Sequence, residues 1–170
     1  FVKNVMYGRM AQGGSTITQQ VIKSLVLGPE KSLNRKIREA ILAYKLENYL
    51  NKNEILNLYL NNIYMGHGVY GIEAASQVYF GKHVWDITTA EAAILAGIVQ
   101  APSRYTPKKH PGNARIRQEY VIEQMFHKKF INEKAKQQIL KERVVIREDD
   151  GVFQDSYYKD HIFRYIEAKY

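Results

Sequence analysis

The chain has 170 residues, no cysteine and a formal net charge of +8. That length supports one domain with a real core, or two lobes sharing one. The lack of cysteine excludes a disulfide framework and thiol chemistry, and no apolar run approaches the ~20 residues of a membrane span. The charge is uneven. Residues 1–38 carry Lys3, Arg9, Lys23, Lys31, Arg35, Lys36 and Arg38 against the single acid Glu30. Such a bias suits an anionic partner (a membrane surface, a phosphate ligand or nucleic acid), with a solvated basic face as the plain alternative. No signal peptide is visible, and a first residue of Phe1 reads as a piece of a longer protein.

In chain order, Val2, Val5 and Met6 give a short apolar face that Gly8 interrupts. The segment Gly13-Gly14-Ser15-Thr16-Ile17-Thr18-Gln19-Gln20 follows, with two glycines, three hydroxyls, two amides and no charge. Glycine lets backbone approach a ligand, and hydroxyls and amides offer donors and acceptors to a strongly polar partner. Ile17, Val21, Ile22, Leu25 and Val26 recur at helical spacing until Gly28-Pro29. From the residues alone this is an amphipathic helix, with a surface-seated lobe as the sharper reading.

Ser32 is positioned to cap a helix reaching about Tyr49, with Ile37, Ile41, Tyr44 and Leu50 expected inward. Asn51 with Glu54 forms a capping box for the next helix, whose face carries Ile55, Leu58, Tyr59, Asn62 and Ile63. Gly66, Gly68 and Gly71 form a turn, and a short helix from about Ile72 to Tyr79 ends at Gly81. Thr88 with Glu91 repeats the capping box and opens a helix to about Val99, in which Ala92, Ala93, Ala96 and Gly97 suit close packing. Pro102 and Pro107 bound an irregular segment. Helices are expected over 113–130, 133–142 and 157–168. No period-2 pattern is sustained enough for a sheet, so the class is mainly α.

Several motifs lack the context that would give them chemistry. Gly66-His67-Gly68-Val69-Tyr70-Gly71 matches GxGxxG, but a dinucleotide fingerprint needs a strand before it, and residues 55–64 have helical spacing. Ser156-Tyr157-Tyr158-Lys159 matches SxxK without the KTG or SxN partners of serine acyl-enzymes. The five histidines are scattered and show no metal-site spacing. Glu39 carries more weight. It lies four positions after Arg35, on the same helix face. A solvated ion pair there would contribute little. With Lys31 and Lys36 also near, the positive field favours the carboxylate, which suits a group that orients a cation, a metal or a nucleophile.

GGSTITQQ, then Arg35-Lys36-Ile37-Arg38-Glu39 (RKxxE), then residues 54–64 (EILNLYLNNIY) resemble successive motifs of the peptidoglycan glycosyltransferases, glycosyltransferase family 51. Residues 71–75, 79–82, 91–97 and 101–105 continue the pattern in order, so the resemblance spans roughly residues 10–125. Such domains occur at the N-terminal side of class A penicillin-binding proteins and as monofunctional transglycosylases. The resemblance implies a mainly α fold with a lysozyme-like helical head lobe and a small membrane-proximal jaw in roughly residues 1–30, which overrides the plain amphipathic helix read there. It places the glycosyltransferase domain in residues 1–143. Residues 144–170 would be a C-terminal segment leading toward a linker or transpeptidase domain.

The implied reaction polymerises lipid II. The 4-hydroxyl of the acceptor sugar attacks C1 of the lipid-linked donor with inversion, and polyprenyl pyrophosphate leaves. Ser15, Gln19 and Gln20 match polar donor-site residues of the family. Lys23, Lys31, Arg35, Lys36 and Arg117 match its basic ones, and Glu39 matches its second glutamate, which would act near the pyrophosphate, with Mg or Mn as the candidate divalent metal. Implied partners are lipid II, the lipid-linked glycan chain, the bacterial membrane surface and cell-wall synthesis or division proteins, with no nucleic acid. The implied location is the outer face of the bacterial cytoplasmic membrane.

One departure stands out. The family's first motif, EDxxFxxHxG, carries the general-base glutamate and should lie upstream of GGSTITQQ, yet residues 1–29 contain neither Asp nor Glu. The chain therefore reads as truncated just after that motif, and alone it is expected to be inactive or nearly so, since a missing general base costs ~10²–10⁴-fold. Two other readings remain on sequence grounds. One is a lysozyme-like glycan hydrolase, which needs flanking carboxylates rather than clustered cations. The other is a basic helical module that binds anions.

Overall fold

A computed structural model of the chain describes residues 15–27 and 32–148. The described residues form eight helices and no strand, so the class is mainly α as expected. The helices are α1 Ile17–Leu25, α2 Leu33–Tyr49, α3 Lys52–Asn62, α4 Ile72–Phe80, α5 Thr89–Ile98, α6 Pro102–Tyr105, α7 Pro111–His127 and α8 Glu133–Lys141. The chain divides into two compact units, one ending at Ile63 and one beginning at Tyr64. The face expected at Val2, Val5 and Met6, most of the jaw, the SxxK match and the helix expected over 157–168 lie outside the described residues.

Local sequence fixes where these helices begin. Thr16 with Gln19, Asn51 with Glu54 and Thr88 with Glu91 each form a reciprocal capping box, and Ser32 and Asn132 cap α2 and α8 with one side-chain acceptor each. These side chains satisfy amide donors that a helix start otherwise leaves unpaired. Proline serves at the first helical position of α6 and α7, where its missing N–H costs nothing. The segment bounded by Pro102 and Pro107 is therefore a helical turn rather than irregular chain.

In the first unit α1 packs against both α2 and α3. Among the described residues its core comprises Val21, Ile22, Ala43 and Ile55, with Thr18 and Glu39 also buried. The rotation of α2 differs from the one its apolar pattern suggests. Ile37 (58% exposed), Ile41 (53%) and Tyr44 (69%) face outward with Leu33, while Glu39 and Ala43 face inward. Polar contacts hold this rotation. The Lys36 ammonium donates to Ser15 Oγ at 2.7 Å, and the Thr18 hydroxyl donates to Glu47 Oε1 at 2.6 Å. Ala43 adds a small side chain that lets a neighbour approach.

In the second unit α5 and α7 form the main packing pair, with α4, α6 and α8 against them. Ala90, Ala93, Ile94, Leu95 and Ile98 of α5 meet Ala114 and Ile122 of α7 in the core, whereas Ala92 and Ala96 face solvent. At Gly97 the two helices approach closely, since a Cβ there would lie 2.9 Å from Arg117 Cγ. The glycine-rich turn connects α3 to α4 with no strand before it, which removes the dinucleotide reading. Its only sheet-like feature is an isolated bridge between Tyr64 and Tyr70. Gly66 has φ +85°, and a Cβ there would sit 2.2 Å from Thr106 Cγ2. The buried Tyr79 hydroxyl closes the turn by donating to the Met65 carbonyl at 2.7 Å, and burial pushes its pKa up, keeping it protonated.

Candidate functional site

The site is built on the inward face of α2 and the start of α1. Ser32 fixes the register of α2 by accepting from the Arg35 N–H at 3.1 Å. Lys36 and Glu39, three positions apart, then fall on one face. The Lys36 ammonium bridges Ser15 Oγ and Glu39 Oε1, at 2.7 Å and 2.5 Å. Glu39 is 1% exposed and Lys36 40%, so a buried carboxylate holds a cation whose outer side meets solvent. This pair replaces the solvated Arg35–Glu39 pair that the i,i+4 spacing suggested.

Three polar atoms of the same face are buried without a hydrogen-bond partner among the described residues: Glu39 Oε2 and the Nε and Nη1 of Arg35. Leaving buried charged groups unsatisfied is costly in a folded protein, which makes such atoms candidates for ligand contact. Glu39 differs in this from Glu91, the other buried carboxylate among the described residues. Glu91 spends one oxygen on the Lys82 ammonium at 2.7 Å and the other on the Thr88 N–H at 2.8 Å.

The remaining expected residues are placed differently. Gln19 uses its side-chain oxygen in the α1 cap, accepting from the Thr16 N–H at 3.2 Å. Gln20 Oε1 accepts from the Tyr59 hydroxyl at 3.4 Å, and burial raises the Tyr59 pKa. Lys23 is exposed in the last turn of α1, where a cation meets the negative end of the helix dipole. Lys31 lies outside the described residues. Arg117 belongs to the second unit. Its guanidinium lies over the rings of Tyr120 (4.4 Å) and Tyr105 (5.8 Å), with Nε buried and unpartnered. Ser15, Lys36 and Glu39 are thus the expected residues joined directly by hydrogen bonds.

Among the described residues, those around Glu39 do not form the kind of cluster that holds a resident divalent metal. No group of three or more described His, Asp or Glu side chains could hold one. Glu39 offers a single unpartnered oxygen on a face shared with Arg35 and Lys36, the opposite of the clustered oxygen ligands that hard cations take.

The sequence matches the profile of the family described as Transglycosylase over residues 1–126. The chain belongs to the transglycosylase family. Among curated relatives, penicillin-binding protein 1A of Aquifex aeolicus (strain VF5) is 42% identical over 169 residues, 99% of this chain and 23% of that protein. Penicillin-binding protein 1A of Neisseria lactamica is 48% identical over 143 residues, 84% of this chain and 18% of that protein. The chain thus spans about a fifth of the length of these relatives. The crystal structure of penicillin-binding protein 1A from Haemophilus influenzae matches with a TM-score of 0.56 at 27% identity, over 91% of this chain and 20% of that one. A transglycosylase domain of mainly α, lysozyme-like type agrees with the helices described above.

Proposed function

We propose that this transglycosylase-family chain is a peptidoglycan glycosyltransferase that polymerises lipid II at the outer face of a bacterial cytoplasmic membrane. The observation that carries the reading is the Ser15–Lys36–Glu39 line beside the unpartnered guanidinium atoms of Arg35. In the reaction the acceptor 4-hydroxyl forms a bond to donor C1 and gives up its proton to a base. The C1–O bond to pyrophosphate breaks, and its electron pair leaves on the pyrophosphate oxygen. Negative charge therefore gathers on the leaving group, where preorganised cations lower the barrier. Lys36, oriented by Glu39 and Ser15, and Arg35 would supply that charge from the first unit. A hydrolase needs no such cations, which places it second.

The general base would come from the family's first glutamate motif. The test therefore uses a chain extended upstream to carry that motif, beside the 170-residue chain and an extended Glu39→Gln variant. Lipid II polymerisation in detergent is expected from the extended chain alone, and a phosphoglycolipid donor mimic such as moenomycin should block it. An extended, folded chain that makes no polymer, yet cuts finished glycan or binds DNA with a steep salt dependence, would overturn the reading.

A further inference from the structure

Trp85 is the only tryptophan in the chain, and it is 73% exposed. It is nevertheless held in place. The His83 ring lies parallel to the indole, with centroids 4.4 Å apart and planes 7° apart. His83 Nδ1 is in turn 2.7 Å from Glu73 Oε1 and 3.0 Å from Gln77 Nε2, both on α4. Glu73 Oε2 accepts the Val84 N–H at 2.8 Å, and the Asp86 N–H bonds to the His83 carbonyl at 2.9 Å. Ser76, also on α4, donates to the Lys82 carbonyl at 2.7 Å. A five-residue turn is thus tied to α4 at several points, with one indole face covered by imidazole and the whole ring still largely in solvent.

We infer that Trp85 on its His83 support is a stacking platform for a sugar ring of a glycan strand. The choice of a sugar rests on the transferase reading above. A flat aromatic face recognises the C–H face of a pyranose, and a platform already ordered by Glu73, Gln77 and Val84 loses little freedom when a ligand stacks. The polar surroundings of the indole (Glu73, Gln77, His83 and Asp86) disfavour burial in acyl chains, because a carboxylate taken out of water with the ring would be penalised.

Because the indole is unique, tryptophan fluorescence of the 170-residue chain, excited at wavelengths too long for its 13 tyrosines, reports this site alone. A β-1,4-linked N-acetylglucosamine tetramer is expected to change the emission in a saturable way. His83→Ala should raise the half-saturating concentration about fivefold or more, as loss of the stacked support implies. Saturation-transfer NMR should show the tetramer contacting the chain, with the signal lost in a folded Trp85→Ala variant. No emission change at millimolar tetramer, an unchanged midpoint in folded His83→Ala, or a response to phosphatidylglycerol vesicles in place of the sugar would overturn the platform. The two readings fail separately. Polymerisation by an extended chain without a tetramer response sinks only the platform. A tetramer response without polymerisation sinks only the transferase.

Discussion

Lys36 supplies the only hydrogen bond described for the buried Glu39 carboxylate. Lys36→Met would leave both Glu39 oxygens buried without a partner, and is expected to lower stability by about 1–3 kcal/mol. In an extended chain it should slow polymerisation by about 10²-fold or more, as loss of one transition-state cation does. Adding Glu39→Leu should restore much of the urea midpoint, since replacing both members of a buried pair is far milder than removing one, while polymerisation stays low. Recovery of both together would show that the pair matters only for folding. Glu73 offers a second residue-scale test. Burial alone would raise its pKa, but the Val84 N–H, the His83 and Gln77 hydrogen bonds and the His83 charge outweigh it, so the value lies below the ordinary 4.5. A lowered folded pKa gives stability that is present above pH 4.5 and is lost as the pH falls through the folded value. Urea midpoints of the parent and Glu73→Gln chains should therefore differ at neutral pH and converge in acid. A constant gap would contradict the assignment.

Among the elements, the turn between α3 and α4 depends most on one residue. Gly66→Ala would face both a positive φ and a 2.2 Å approach to Thr106 Cγ2. The expected cost is about 2–4 kcal/mol, read as a fall in the urea midpoint, whereas Gly68, with nothing within 4 Å of a built Cβ, should pay only for its φ. Helix starts were legible in the sequence because a capping box is four residues of local information, as at Asn51–Glu54 and Thr88–Glu91. The rotation of α2 was not. Ile37, Ile41 and Tyr44 form as regular a stripe as any buried face, and what turns them outward is a pair of contacts 21 and 29 residues away in sequence. The site shows the same division. RKxxE pointed to Glu39, but helix spacing could not distinguish Arg35 from Lys36 as its partner. The Trp85 platform carried no periodic or motif signal at all, only a lone tryptophan in a polar loop.

Across the molecule, the outward stripe of Leu33, Ile37, Ile41 and Tyr44 has a consequence for behaviour in solution. Large apolar side chains in a row attract their like across water, while a net charge of +8 keeps copies of the chain apart. The repulsion reaches about 30 Å at 0.01 M salt but only about 3 Å at 1 M, and the apolar attraction does not weaken in the same way. Added sodium chloride should therefore drive these molecules together, the reverse of what salt does to complexes held by ion pairs. Light scattering across a salt series would show it as a second virial coefficient that changes sign, and Ile37→Lys, which breaks the stripe and adds a charge, should move that crossing to higher salt. In colloidal terms, the chain is a charge-stabilised particle with a sticky seam along α2.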